Sequence, residues 1–173
     1  MKYTSIIGAV LIIPFFMMVT ISTPYAKELE KPQGNVILTI SGKIANKNTK
    51  ESAEFSAGML KKLGLHSFKS TNNWIAGEHI FEGIKIKDLM TYVGAMGTKL
   101  YAVALNDYSA TIPLEAIIDS PALVVLNIDG EQMSVREKGP LWILYPQGDG
   151  FEKYQKAPYT NYMVWQLRSL EVR

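Results

Sequence analysis

Cysteine is absent from the 173 residues, and histidine occurs only twice, at His66 and His79. Without cysteine the chain has no disulfide, no thiolate nucleophile and none of the soft ligands that thiolate metal sites require. Two histidines that are not arranged as HExxH are too few for a typical zinc site. The fold must therefore depend on its hydrophobic core, and function must reside in other side chains.

A charge excess of one sign is also lacking, because 18 Lys and Arg residues oppose 16 Asp and Glu residues. Proteins that bind nucleic acid or anionic membranes through electrostatics carry a strongly basic face. The composition therefore predicts no nucleic-acid partner. Any ligand must instead be recognised by the local chemistry of a site.

The first 26 residues have the pattern of a secretory signal. Lys2 provides the positive start, residues 6–21 are almost entirely apolar, and Ala26 suits cleavage. Pro24 fits a cleavage site poorly and the apolar run is near the minimum membrane span, so a retained membrane helix is the alternative. We expect residues 1–26 to be a signal peptide and residues 27–173 to form one domain outside the cytoplasm.

Hydrophobic periodicity predicts a mixture of strands and short helices. Alternating or continuous apolar runs predict five strands, at residues 35–44, 99–105, 122–128, 141–145 and, with a bulge, 162–173. Helical spacing predicts three helices, at residues 53–64, at residues 84–94 and from Pro113 in a first turn. Two polar segments, residues 65–83 and 106–113, are predicted to be loops, and the longer one is of functional interest.

Four motifs occur in an order that resembles a known family. They are "FEGIKIKDLMTYVG", "NDYSATIP", "NIDGEQMSVREKGPLWILYP" and "VWQLRSLEV". In this order and spacing they resemble the molybdopterin-binding domain of the sulfite-oxidase superfamily, over residues 35–173. The resemblance implies an α+β fold: a single domain of mixed β-sheets and short helices.

The sequence departs from the enzymes of that superfamily at two positions. Their molybdenum is held by a cysteine thiolate, and matching Trp74 to the tryptophan that often follows it puts Ser70 in the cysteine's place. A serine hydroxyl is neutral and a hard, weak donor, so it is a poor substitute for a thiolate. Where the enzymes commonly carry arginine after the Gly-Pro entry to a buried strand, this chain has Trp142. Both departures argue against an enzyme.

The chain is more similar to the small cysteine-free periplasmic pterin-binding (PruR-like) proteins. That resemblance implies a pocket for a reduced pterin, such as a tetrahydropterin or a monapterin-like compound, without molybdenum. It also implies a sensory accessory that regulates a membrane-bound diguanylate cyclase or phosphodiesterase through the periplasmic domain of that enzyme. The alternatives are a molybdopterin-dependent oxidoreductase of the superfamily, a cofactor-free reaction around Asp107 and His79, and a structural accessory with a vestigial pocket.

A pterin requires an aromatic platform, an acceptor for its amino group and donors for its carbonyl. Candidate side chains for these functions are Ser70, Trp74, Asn106, Asp107, Tyr108, Arg136, Lys138, Trp142 and Trp165. Asp107 would accept hydrogen bonds from the amino-pyrimidine, and Arg136 and Lys138 would meet the carbonyl or a phosphate. No catalytic or metal-binding residue is predicted.

Each candidate also has an ordinary structural explanation. Asn106 and Asp107 suit a hairpin turn, because both residues tolerate positive φ. A tryptophan inside an apolar strand, such as Trp142, is commonly a core residue. Arg136 and Lys138 beside glutamates are typical of a solvated charge cluster. The structure has to distinguish between these interpretations.

Overall fold

The computed structural model describes residues 28–173, so the predicted signal peptide at residues 1–26 lies outside the described residues. The described chain forms ten strands: β1 Val36–Gly42, β2 Ser52–Ser56, β3 His66–Asn72, β4 Ile75–Lys85, β5 Lys99–Ala104, β6 Ser109–Pro113, β7 Leu123–Ile128, β8 Glu131–Gln132, β9 Trp142–Leu144 and β10 Leu167–Val172. Three α-helices accompany them: α1 Ala57–Lys62, α2 Ile86–Val93 and α3 Leu114–Ile117. Short 3-10 helices occur at Val135–Glu137, Glu152–Gln155 and Tyr159–Tyr162. Over residues 28–173, no helix is long and apolar enough to cross a membrane.

The first sheet has the strand order β2-β1-β10-β5-β6. Its central strand, β10, is parallel to β1 and antiparallel to β5. Leu170 of β10 lies opposite Ile40 on one side and Ala102 on the other, and all three side chains are buried. The C-terminal strand is therefore built into the middle of the sheet.

The second sheet has the order β3-β4-β7-β8, and β9 also pairs with β7. Trp142 of β9 lies opposite Val125 of β7, and both side chains are buried. Buried residues of the two sheets belong to one hydrophobic cluster. This burial explains why β9 and residues 123–126 of β7 are continuous apolar runs, since both faces of these strands are covered.

Strand β4 extends beyond the second sheet. It pairs with β3 over most of its length but with β7 only from Phe81 onwards, so residues 70–80 form a two-stranded ribbon. At the tip of this ribbon, Asn72 Oδ1 accepts hydrogen bonds from the backbone N–H groups of Trp74 (2.8 Å) and Ile75 (2.9 Å). The Asn72 side chain thereby closes the turn that presents Trp74.

The structure confirms the predicted strands that became β1, β5, β7, β9 and β10, and the predicted helices α2 and α3. The expected bulge in the last strand is a register shift between Leu167 and Ser169. Helix α2 ends, as predicted, at Gly94, which adopts the left-handed conformation with φ 61°. Strong apolar patterns and glycine stops were therefore reliable guides to local structure.

The prediction of residues 65–83 as a loop is wrong, because they form most of the β3 and β4 hairpin, and residues 106–113 contain β6. β3 and β6 are edge strands, so their outward side chains are polar and no apolar run marks them. The predicted helix at residues 53–64 is correct only in its second half. Ala53 and Phe55 are buried at the two-residue spacing of strand β2.

The central position of β10 leads to a stability prediction. We expect Leu170→Ala to reduce the free energy of unfolding by about 2–5 kcal/mol, because it removes buried methyl groups and leaves a cavity between two paired strands. Urea denaturation measures the change. Met96→Ala is the control, since Met96 is 69% exposed and surface substitutions usually stay within about 0.5 kcal/mol. Equal midpoints for the two variants would contradict this account of the core.

Candidate functional site

A cleft of about 420 Å³ opens between the ribbon and the segment that follows β7. We call it the tryptophan cleft, and the residues that matter for its chemistry are Trp74, His79, Asp129, Glu131, Arg136 and Lys138. It combines an aromatic side chain with charges of both signs. Clefts of roughly 300–1,000 Å³ with a few convergent polar groups are typical small-molecule sites.

Trp74 lines the cleft and packs against two further tryptophans. The ring centroid of Trp74 lies 5.8 Å from that of Trp142 and 6.0 Å from that of Trp165. Trp74 and Trp165 are partly exposed, whereas Trp142 is fully buried. Trp74 can therefore offer a ring to a ligand, but in this conformation Trp142 cannot act as the stacking platform that the sequence predicted.

The turn between the 3-10 helix Val135–Glu137 and β9 positions Lys138. Lys138 has φ 76°, and its Nζ atom lies 4.8 Å from the ring centroid of Trp165, a cation–π contact. A Cβ atom on the next residue, Gly139, would collide with the backbone carbonyl of Met133. Glycine is therefore required here for the chain to pass close to Met133 and enter the buried strand.

His79 and Asp129 join the ribbon to the turn after β7. His79 Nδ1 lies 2.7 Å from Asp129 Oδ2, and His79 Nε2 lies 2.9 Å from the carbonyl oxygen of Ala76. Asp129 Oδ1 also accepts a hydrogen bond from the Ile80 N–H at 2.9 Å. Both imidazole nitrogens thus face acceptors, an arrangement that favours the doubly protonated ring.

This geometry shifts both ionisation equilibria. The hydrogen bond to Asp129, and then the one to the Ala76 carbonyl, raises the pKa of His79 above its ordinary value. The same imidazole, followed by the Ile80 N–H, lowers the pKa of the Asp129 carboxyl. The geometry therefore favours the ion pair and widens its pH range, upwards through His79 and downwards through Asp129.

Two charged side chains of the cleft have no internal partner. Within the described part of the chain, neither Arg136 nor Glu131 takes part in an ion pair or a side-chain hydrogen bond. Glu137, by contrast, accepts a hydrogen bond from Ser134 Oγ at 2.9 Å. Arg136 and Glu131 are therefore free to bind a ligand.

Ser70 lies outside the tryptophan cleft. Its buried hydroxyl lies 2.6 Å from the Thr71 carbonyl oxygen and 2.9 Å from that of Gln147, so its one proton can be donated to either, and it accepts from the Gln147 N–H at 2.8 Å. It lines a separate cleft with Gly148 and Asp149. The hydroxyl hydrogen-bonds the ribbon base to the loop after β9, which is a structural role.

The three candidates Asn106, Asp107 and Tyr108 also lie outside the tryptophan cleft. They form the turn between β5 and β6, in which Asp107 has φ 64° and Asn106 Oδ1 accepts from the Tyr108 N–H at 3.2 Å. The carboxylate of Asp107 accepts a hydrogen bond from Arg168 Nη2 at 2.7 Å. The ordinary explanation, a hairpin turn, describes this segment. Sequence alone could not show that this turn lies outside the cleft, because hairpin turns and ligand-binding loops use the same residue types.

The structure therefore brings together Trp74, Arg136, Lys138 and Trp165, with Trp142 behind them. Asp129 and Glu131 also line the cleft, but the sequence did not predict them as site residues. Both belong to the "NIDGEQ" turn. The pairing of Asp129 with His79 joins residues fifty positions apart. No local pattern in the sequence reports such a contact.

No protein-family model matches the chain, and no curated protein matches it. Among solved structures, the chain is similar to the sulfane dehydrogenase SoxCD from Paracoccus pantotrophus, with a TM-score of 0.57 and 17% sequence identity. The match covers 78% of this chain but only 37% of that chain. The fold is sulfite-oxidase-like. At this identity the similarity concerns the fold alone, and it confirms the predicted α+β domain of mixed sheets and short helices.

The side chains present do not fit the molybdenum centre that the superfamily's enzymes carry. The chain has no cysteine, and the hydroxyl of Ser70 is already used by the backbone of Thr71 and Gln147. Across residues 28–173, no three His, Asp or Glu side chains are close enough to hold a metal ion. The described residues therefore offer no ligand set for molybdenum.

The His79–Asp129 pair leads to a prediction of pH-dependent stability. Because folding raises the pKa of His79, its contribution is complete below the unfolded value of about 6.5 and is lost as the pH rises through the folded pKa. Because folding lowers the pKa of Asp129, its contribution is present above the unfolded value of about 3.9 and is lost as the pH falls through the folded pKa. We expect the urea midpoint to fall as the pH rises from about 6.5 through the raised pKa of folded His79.

The control for this experiment is a His66→Gln background, in which His79 is the remaining histidine. Adding Asp129→Asn to that background should abolish most of the pH dependence, because the imidazolium loses its charged acceptor. An unchanged dependence in Asp129→Asn would show that other groups cause it.

Proposed function

We propose that the chain is a periplasmic pterin-binding protein, similar to the PruR-like group, that works without molybdenum. The observation that carries this proposal is the tryptophan cleft, in which Trp74 lies beside the unpaired side chains of Arg136 and Glu131. An aromatic platform with a free donor and a free acceptor is what a flat, polar heterocycle requires.

The chemistry of a reduced pterin matches these groups. Its bicycle can stack on the ring of Trp74, and its amino group can donate to the carboxylate of Glu131. Arg136 can donate to a carbonyl or to an anionic substituent. Lys138, held over Trp165, adds a second cation at the same rim. In this arrangement Asp107 makes no contact with the ligand, because it lies at the β5–β6 turn beside Arg168.

The lack of a thiolate supports binding rather than molybdenum catalysis. A molybdopterin-dependent oxidoreductase would need a ligand for the metal, and the residue in the expected position, Ser70, is hydrogen-bonded to Gln147. A pterin without metal makes no such demand. The proposed role is therefore recognition of the pterin itself.

A periplasmic protein cannot itself carry a signal into the cytoplasm. We propose that it acts as a sensory accessory, which binds the periplasmic domain of a membrane diguanylate cyclase or phosphodiesterase. For the pterin to serve as a signal, it must change the affinity for that partner. Such coupling is typically worth about 1–3 kcal/mol, or roughly five-fold to 150-fold in affinity.

Two arginines provide a matched test of the binding site. Arg136→Ala should weaken the binding of a hydroxymethyl-dihydropterin by about tenfold to hundredfold, because it removes a charge-assisted hydrogen bond. Arg168→Ala should leave the affinity unchanged, since Arg168 pairs with Asp107 outside the tryptophan cleft. Isothermal titration calorimetry without oxygen, at low and at high salt, measures both affinities. If instead Arg168→Ala and Asp107→Ala weaken binding and Arg136→Ala does not, the ligand binds at the β5–β6 turn.

The sensory role has its own test. Protein immobilised with and without the dihydropterin should capture different amounts of the cyclic-di-GMP enzyme from detergent-solubilised membranes. The Arg136→Ala variant should lose this difference at ligand concentrations that saturate only the parent protein. Equal capture with and without ligand by the parent would leave a pterin-binding protein that is not a sensor.

A further inference from the structure

The indole N–H of Trp142 is a buried hydrogen-bond donor that has no partner among the described residues. Its ring contacts those of Trp74 and Phe81, at centroid distances of 5.8 and 6.2 Å. Neither neighbouring side chain offers an oxygen or nitrogen acceptor. Folded proteins rarely leave such a donor unpaired, because burial removes it from water without replacing the lost hydrogen bond.

Trp74 contacts both the tryptophan cleft and the ring of Trp142. Trp74 lines the cleft and packs edge-on against Trp142, with an angle of 75° between the ring planes. Trp142 itself is fully covered. Displacement of the Trp74 ring would therefore extend the cleft to the buried indole.

Trp74 also lies at the tip of the ribbon, where no third strand pairs with β3 or β4. The ribbon has two strands only, and isolated two-stranded ribbons are marginally stable. Its base is hydrogen-bonded to the rest of the protein through Ser70 and Asp129. At its tip, Asn72 Nδ2 is a second buried donor without a partner in residues 28–173. Movement at the tip would consequently break few hydrogen bonds.

We propose that ligand binding moves the Trp74 ring aside and opens an inner subsite, in which the Trp142 N–H donates a hydrogen bond to the ring carbonyl of the pterin. This inference rests on the proposed function and deepens it, because it gives the ligand an orientation. In this orientation the carbonyl edge of the pyrimidine ring points inwards and its amino group stays within reach of Glu131. The substituted ring lies at the mouth, so Arg136 and Lys138 meet the substituent and not the carbonyl. Trp142 is thus a hydrogen-bond donor to the ligand and not a stacking platform.

The test compares two substitutions that each remove one polar group from a fully buried aromatic side chain. Trp142→Phe should weaken binding of the hydroxymethyl-dihydropterin by about tenfold, because the carbonyl loses its donor. Its thermal midpoint should fall, because the smaller ring leaves a cavity at a fully buried position, so both affinities are measured at a temperature at which each variant is folded. Tyr145→Phe is the control, because its hydroxyl contacts the Ala116 carbonyl at 3.5 Å and Tyr145 does not line the cleft. This variant should keep the parent affinity.

A second ligand separates the hydrogen bond from packing. In the diamino analogue of the same pterin an amino group replaces the ring carbonyl, so no acceptor faces the indole. Trp142→Phe should not weaken the binding of this analogue. If Trp142→Phe weakened the binding of both ligands equally, or of neither, the proposed inner subsite would be wrong. Failure of the parent protein to bind any pterin would overturn the proposed function, and this inference with it.

The unaltered protein offers an independent measurement. Its three tryptophans give three indole N–H signals in a nitrogen–proton correlation spectrum, and the Trp74→Phe and Trp165→Phe variants identify the signal of Trp142 by elimination. We expect this signal to shift downfield when the dihydropterin is added, because a hydrogen bond to a carbonyl deshields the proton. A Trp142 signal that stays in place while the ligand saturates the protein would contradict the proposal.

Discussion

The backbone and side-chain hydrogen bonds of Gln166 connect the core to the cleft. Gln166 lies directly before β10, and its N–H donates to the Lys138 carbonyl while its own carbonyl accepts from the Leu105 N–H, both at 2.8 Å. Its side chain donates to the Val135 carbonyl at 2.8 Å. The strand that completes the first sheet therefore also positions the turn that carries Arg136 and Lys138. A change that shifts β10 would move the cationic rim as well as the core.

The opposite side of the cleft is held differently. Its residues come from a ribbon that lacks a third strand, and the hydrogen bonds of Asp129 and Ser70 are concentrated at the base of that ribbon. The wall that carries Arg136 and Lys138 is thus hydrogen-bonded to the first sheet through Gln166, whereas the wall formed by the ribbon is attached only at its base. Such a contrast suits a site that must admit a ligand and change shape when the ligand binds, because the rigid wall preserves the geometry while the ribbon moves.

Segments whose side chains are largely buried were the ones whose secondary structure could be predicted from sequence. The buried strands and α2 have regularly spaced or continuous apolar residues, so their positions could be predicted from sequence. The same segments carry most of the motifs on which the resemblance rests. β3 and β4 were missed because a partly solvated hairpin has no such period. Of the predicted site residues, Trp74, Arg136, Lys138 and Trp165 lie close together in the structure, and whether they bind a ligand stays a prediction. Asp107 was grouped with them because a hairpin turn and a ligand loop share a composition, and only tertiary structure distinguishes the two.

The balance of charges around the cleft limits the ligand it can select. Arg136 and Lys138 line the same cleft as the carboxylates of Asp129, Glu131 and Glu137, and Asp129 is hydrogen-bonded to His79. Near neutral pH the cleft therefore carries little net charge, and a ligand with several negative charges would gain from the cations but be repelled by Glu131 and Glu137. A neutral heterocycle with donors and acceptors on its edge meets no such opposition. The electrostatics thus support the proposal of a small pterin rather than that of a cofactor that depends on a phosphate group for binding.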